Sequence, residues 1–551
     1  MHTQPESCKI MEEEKSPIHS TSVSMGVLSG SKNAKPVSAA KPSTLFVIGD
    51  FGYRSDTVQK VSASQWSDFF QANTFEITCP VENNLPEYVK PFYLEYSVES
   101  INDFSLQGII DKTANLSPYK RALQTAEQLK ASRISRSDAF SQIESLQLPT
   151  ALKNKILTGL ALTPSRDTPS GNPHQIDSIL SMMDIPGGAK TEPPTKTDDF
   201  IDAITSQDVS TPDYGKVNTL LSSILKSTAE AIRKTDRFTE LATSWTSLKN
   251  LLKIAGRDQS IQIFCVSCAR DNASELLPEL MSSLSDELVP DLILWNYVYS
   301  FSTASLQELE QVAMVADKFK SVLCTTLHRN EPVNSELFSS QPARIIMQQE
   351  AMIPYNRFRN SAAARSCVLC AAPAYKDAVT NDFTLASGAW VITAQWVHGI
   401  VEAATPFCWP RRIQSINGFG ITEKIDDSRI EEVGEYGITI AENSEYLHAV
   451  RPVSVLNISE RSPYRSAGFN MLVNRTARLT AMWVASGAGT DNQDAAIQLK
   501  DFLVINLKPY HILSTDNALS VEIANKVATI DFDSTYSIDD YAIYFQFTIN
   551  L

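Results

Sequence analysis

Apolar positions along this chain form three kinds of pattern. Thr44-Leu-Phe-Val-Ile-Gly-Asp-Phe-Gly52 is a continuous apolar run that leaves through Gly-Asp, which predicts a buried strand ending in a turn. Leu241, Trp245, Leu248 and Leu252 recur at spacings of 4, 3 and 4, the buried face of a helix across 238–252. The last stretch alternates: Leu519-Ser-Val-Glu-Ile-Ala524 and Tyr541-Ala-Ile-Tyr-Phe-Gln-Phe-Thr-Ile-Asn-Leu551 each put apolar side chains on one face of a strand. Two helical blocks precede them, 468–483 and one ending near Leu507. Two strands are not stable alone, so this ribbon must lie on its own domain or on a neighbour's.

Between these landmarks the pattern predicts a helix at 64–72, strands at 74–81 and 91–98, and a turn at Ser100-Ile-Asn-Asp-Phe104 leading to a helix at 116–130. From 163 to 197 prolines and glycines break any long element and mark a linker. Within it Ile176, Ile179, Leu180 and Met183 share one helical face, the pattern of a docking peptide or a local packing helix. Helical runs at 198–205 and 217–234 follow. The chain then alternates strand 261–267, helix 273–284, strand 291–298, helix 305–319 and strand 321–326, with a further strand at 366–371, an apolar helix at 385–404 and a strand at 436–441. This alternation predicts an α/β (mixed α+β) fold. The expected divisions are an N-terminal flexible arm (1–43), a small region (44–150), a linker (151–198), an α/β body (199–467), and helices with a β arm (468–551).

Composition narrows the function. With 43% hydrophobic and 20% charged residues the chain has ample core, and a net charge of −15 weighs against general nucleic-acid binding. No apolar signal segment opens it, and the 385–404 run carries Gln395, His398 and Glu402, so a buried helix is expected rather than a membrane span. A cytoplasmic protein follows. The Cys265/Cys268 and Cys367/Cys370 pairs have Cys-x-x-Cys spacing, but both sit in runs that read as strands, where residues three apart point to opposite faces. Core packing is the expected role. No phosphate-binding loop, Gly-x-Ser-x-Gly or His-Glu-x-x-His occurs, the 7 histidines are scattered with only His328 placed after a strand end, and Asp50 and Asp291 stand singly. No enzyme activity, metal or cofactor is expected.

The ordered series of local motifs resembles the small and large subunits (TssB and TssC) of the type VI secretion contractile sheath, joined in one chain. The small-subunit resemblance rests on Thr44–Gly52, Trp66-Ser-Asp-Phe-Phe70, Phe75-Glu-Ile-Thr78, Val81-Glu-Asn-Asn-Leu85, Leu94-Glu-Tyr96 and Ser100–Phe104. For the large subunit it rests on Leu241–Leu252, Asn296-Tyr297, Phe358-Arg-Asn-Ser361, Ala364-Arg365, Val473-Asn-Arg475, and Val521-Glu-Ile523 with 541–551.

The resemblance implies a structural subunit that polymerises helically with itself around an inner tube and contracts to propel tube and spike. It implies baseplate and terminator partners, and an AAA+ unfoldase docking at Ile176, Ile179, Leu180 and Met183. Strand exchange between protomers is implied for Leu519, Val521, Ile523, Tyr541, Ile543, Phe545, Phe547 and Ile549, and inner-tube contact for Asn474, Arg475, Arg478, Asp494 and Gln498. Deleting 541–551 is expected to leave a folded protein that forms no sheaths. Competing readings are a phage tail sheath protein, a soluble adaptor, and a zinc or dithiol enzyme built on the two cysteine pairs.

Overall fold

The run Ser43–Gly49 forms a strand whose seven residues are all buried, as a strand covered on both faces must be. The computed structural model describes residues 20–23, 42–54, 57–162, 212–285, 288–327, 341–371, 375–376, 387–403, 405–407, 409, 420–421, 427–443, 447–449, 452–458, 462–487, 494–538 and 541–551. Strands are numbered in chain order.

The larger sheet has eight strands in the order β13 (Leu447–Ala449), β12 (Ile438–Asn443), β9 (Cys367–Ala371), β8 (Val322–Leu327), β7 (Leu292–Tyr299), β2 (Ser43–Gly49), β6 (Ile261–Ser267) and β3 (Gln59–Val61). From β12 to β6 all neighbours are parallel, while β13 and β3 run antiparallel at the two edges. Helices Arg270–Ser283 and Thr303–Lys318 contribute Leu277 and Leu309 to one core with Phe46, Ile48, Trp295 and Leu323. Helix Gly388–Ala403 packs against β7, β8 and β9.

A second sheet has the order β1 (Ser20–Val23), β16 (Tyr541–Asn550), β15 (Val527–Ile538) and β14 (Leu519–Ala524). Smaller pairs are β4 (Phe75–Val81) with β5 (Phe92–Val98), and β10 (Tyr375–Lys376) with β11 (Gly420–Ile421).

Contacts divide the chain into one unit of 1–75 with 239–551 and a second of 76–238. Where boundaries were expected at 43, 150, 198 and 467, these units divide at 75 and 238, and β2 lies between β7 and β6 inside the larger sheet. The stretch from 44 to 75 therefore belongs with the α/β body, and so does the terminal sheet. The arm expected over 1–43 also changes, since Ser20–Val23 pairs with β16 and Ser43 already lies in β2.

Within the first unit, Trp245 is fully buried and gathers Phe51, Trp66, Phe70 and Phe75 around it. Its ring lies 4.3 Å from Phe70, 5.5 Å from Phe51 and 5.8 Å from both Trp66 and Phe75, and its indole N–H donates to the Phe51 carbonyl at 2.9 Å. Such pairs add about 0.5–1.5 kcal/mol each beyond area burial. Asn296 donates to Ser244 Oγ and accepts from the Trp390 indole, both at 2.8 Å. Among the described residues these side chains pack beyond the carboxyl end of β2, where open α/β sheets commonly bind ligands.

Within the second unit, Ser100-Ile-Asn-Asp-Phe104 forms a capping box. Asp103 accepts from the Glu99 and Ser100 amides at 2.8 and 2.9 Å and from Lys112 Nζ at 2.7 Å. Burial would raise its carboxyl pKa, but Lys112 and the two amides outweigh that and hold it below the ordinary value.

Candidate assembly surface

Alternation in β14, β15 and β16 sorts their side chains onto two faces. The register aligns Leu519 with Phe532 and Phe545, Val521 with Ile530 and Phe547, and Ile523 with Ala528 and Ile549. These rows make an apolar face. The rows between them, Ser520 with Asp531 and Gln546, and Glu522 with Thr529 and Thr548, make a polar one.

The apolar face is covered within the chain. Phe545 meets Phe469 of helix Ala467–Ala485 edge-on at 4.5 Å and stacks on Phe532 at 4.7 Å. Leu519, Ile543, Phe545, Phe547 and Ile549 are all buried. A Cβ on Gly468 would stand 2.0 Å from the Phe407 carbonyl oxygen and 3.0 Å from Ile538, so helix and sheet approach here as closely as a missing side chain allows.

Of the eight residues implied in strand exchange, these five have their side chains committed to the chain's own core, and Val521 and Ile523 are half-buried at the margin. For Tyr541 only the backbone is described: it pairs with Ile538. The strand between the two expected ones, β15, went unpredicted although Val527-Ala-Thr-Ile-Asp-Phe-Asp533 alternates as clearly as its neighbours. Among the described residues no strand lies beyond β14, so its outer backbone edge is open there.

Helix Ala495–Leu507 packs on β14 and turns Asp494, Ile497, Gln498 and Ile505 outward, Ile497 and Ile505 being 60% and 59% exposed. The inner-tube residues expected from sequence therefore separate. Asp494 and Gln498 are exposed, whereas Asn474 and Arg475 are buried in this chain.

The reason is a charge cluster that the sequence did not reveal. Arg475 donates to both Asp291 carboxylate oxygens at 2.8 and 2.7 Å and also bonds the Tyr510 hydroxyl. Arg478, one turn on, pairs with the same carboxylate and donates to the Val289 and Pro290 carbonyls at 2.8 and 2.9 Å. Burial would raise the Asp291 pKa, but the two guanidiniums and the Thr44 amide hold it far below the ordinary carboxylate range. The available signal was an i, i+3 arginine pair on an otherwise apolar helix, which asks for a buried acid.

The cysteine pairs straddle their sheet. Cys367 joins the core with Leu369 and Ala371, whereas Cys370 lies on the other face, its sulfur 3.7 Å from that of Cys324. Cys268 belongs to that first core, while Cys265 accepts from the Tyr53 hydroxyl at 3.7 Å. Burial pushes the Cys265 thiol up to about 12 and raises Cys367 and Cys370 as well, the opposite of what a reactive thiolate needs. Among the described residues no group of three His, Cys, Asp or Glu could hold a metal, and no helix is long and apolar enough to cross a membrane. Asp50 accepts from the Gly52 amide at 2.8 Å in the turn after β2. His328 and the 176–183 face lie outside the described residues, as does the helix expected at 198–205.

The chain is thus a mixed α/β protein. No protein-family model matches it, and no curated protein matches it. Among solved structures it is similar to a chain of the anti-feeding prophage (AFP) baseplate, 6-fold symmetrised, with 11% identity over 51% of this chain and 71% of that one and a TM-score of 0.34. It is also similar to a chain of the PVC sheath complex of an extracellular contractile injection system in the contracted state. There the identity is 12%, the coverage 51% of this chain and 70% of that one, and the TM-score 0.34. At that TM-score the likeness carries no argument about this chain.

Proposed function

We propose that this chain is a structural subunit of a contractile sheath, a natural fusion of the small and large subunit types, that polymerises helically with copies of itself around an inner tube. The observation that carries this reading is the terminal sheet. It joins Ser20–Val23 to the last three strands, packs its apolar face at home and, among the described residues, leaves the six-residue edge of β14 without a neighbouring strand, with Val521 and Ile523 half-exposed beside it. An open edge takes a further strand through backbone hydrogen bonds, and such a bond survives rotation of the bodies it joins. The ordered sheath-like motif series supports the same conclusion, and the side chains packed beyond β2 suit a structural role better than a catalytic one.

In this reading strand exchange works through the β14 edge, the side chains of β16 serving the chain's own core. The outward face of Ala495–Leu507, with Asp494, Ile497, Gln498 and Ile505, faces the tube. Baseplate and terminator proteins bound the polymer, and an unfoldase recycles it through the 176–183 segment.

Negative-stain microscopy of the purified full-length chain tests the proposal. Helical tubes are expected, and discrete particles under all assembly conditions sink it. The double variant Val521→Lys, Ile523→Lys sets charge on the free edge; it is expected to melt within a few degrees of the wild type and to form no tubes. Normal tubes from that variant would remove the β14 edge from the mechanism.

A further inference from the structure

Both routes from the larger sheet to the terminal sheet pass one buried carboxylate. On the N-terminal route, Thr44 at the start of β2 donates its N–H to Asp291 Oδ2 at 3.0 Å, and its carbonyl accepts from the Asp291 N–H at 2.8 Å. On the C-terminal route, helix Ala467–Ala485 leads towards β14–β16, and its Arg475 and Arg478 close on the same carboxylate. Tyr510, beyond the next helix, takes an N–H of Arg475. The Asp291 carbonyl accepts from the Val322 N–H at 3.0 Å, which extends the node to β8.

We propose that Asp291 is a clamp that makes the start of β2 and helix Ala467–Ala485 open and close together, so that the strands at both ends of the chain are anchored to the body as one cooperative unit. The physical basis is the asymmetry of buried charge. Breaking a buried ion pair by removing one partner leaves an uncompensated charge, which costs far more than the intact pair contributes. If the helix lifts, Asp291 loses both guanidiniums, keeps the Thr44 amide and must hydrate, and water reaching it competes for that amide. If the start of β2 lifts, water enters beside the two guanidiniums that Asp291 pairs. Neither segment reaches a stable open state alone. Buried ionic groups are best attested in this role of fixing which segments go together, and an apolar replacement can match them in stability. The clamp operates in the single chain, whether or not the chain polymerises.

The test is native-state hydrogen exchange on the full-length chain, read by mass spectrometry on peptides covering 43–46, 470–480 and, as a control, 305–315. In the wild type the first two should share one opening equilibrium as denaturant is raised; two distinct openings would overturn the clamp. Asp291→Asn should lower protection at both together by tenfold or more and leave the control unchanged. Loosening confined to 470–480 would again overturn it. In the triple variant Asp291→Leu, Arg475→Met, Arg478→Met, protection should return while the two openings separate by more than tenfold. If they stay equal in a folded triple variant, ordinary packing couples them and the carboxylate does not.

Discussion

The two larger sheets among the described residues treat their exposed edges in different ways. The larger sheet buries its parallel strands on both faces and ends at β13 and β3, each three residues long and antiparallel to its neighbour. Short terminal strands offer little backbone to a partner. The terminal sheet keeps a polar face, and at one side it ends in the longer strand β14. A short antiparallel margin presents few backbone groups, and the six residues of β14 present more. In the function proposed above, that difference makes the terminal sheet the joint.

The largest expected effect comes from removing β16. Deleting 541–551 strips Ile543, Phe545, Phe547 and Ile549 from the core, at about 1.5–3 kcal/mol for each buried side chain. The sequence led us to expect a folded protein that forms no sheaths. With these side chains packed at home, the expected outcome is loss of the terminal sheet and a large drop in Tm by circular dichroism. An unchanged melt would mean the sheet contributes nothing to its own chain and would reverse the comparison.

Trp245→Ala probes the body, where truncating a fully buried tryptophan costs about 3–5 kcal/mol. Denaturant unfolding should show this loss without any change in the polar face of the terminal sheet.

Asp291→Asn should cost about 3–5 kcal/mol near neutral pH, because two buried guanidiniums lose their acid. The pH dependence has a definite sign. The folded Asp291 carboxyl sits below its unfolded value of about 3.9, so its contribution is fully present above that pH and is lost as pH falls through the folded value. The variant should therefore lose less stability on acidification than the wild type, as pH-dependent melts would show.

Gly468→Ala sets a methyl group against the Phe407 carbonyl and should cost about 1–3 kcal/mol, because backbone must give way. Smallest of all, Glu522→Ala on the polar face should change stability by less than about 0.5 kcal/mol. A larger loss would show that this face too is packed.

Much of the fold was legible because its period was clean. Expected strands at 261–267, 291–298 and 321–326 became Ile261–Ser267, Leu292–Tyr299 and Val322–Leu327, and the 4, 3, 4 spacing around Trp245 marked a buried face. What stayed hidden was pairing across distance. Nothing local in Ser43–Gly49 says that its neighbours are β6 and β7, so the 44–75 stretch read as part of a separate region. The candidate site was half legible for the same reason. Alternation identified β14 and β16, but a strand's pattern shows that one face is covered and never by what. Arg475 looked like a surface contact because Asp291 lies 184 positions away, where no spacing rule reaches.

The interior place of β2, between β7 and β6, has a consequence for how the protein is made. β2 ends at Gly49 and its first partner, β6, begins at Ile261, about 210 residues later. At a synthesis rate of roughly 5–20 residues per second, this interior strand waits some 10–40 s before either neighbour exists. Throughout that interval Leu45, Phe46, Val47 and Ile48 stand without the side chains that later enclose them. Slowing translation after residue 49 should therefore cost yield, and a chaperone that shelters short apolar segments should restore it.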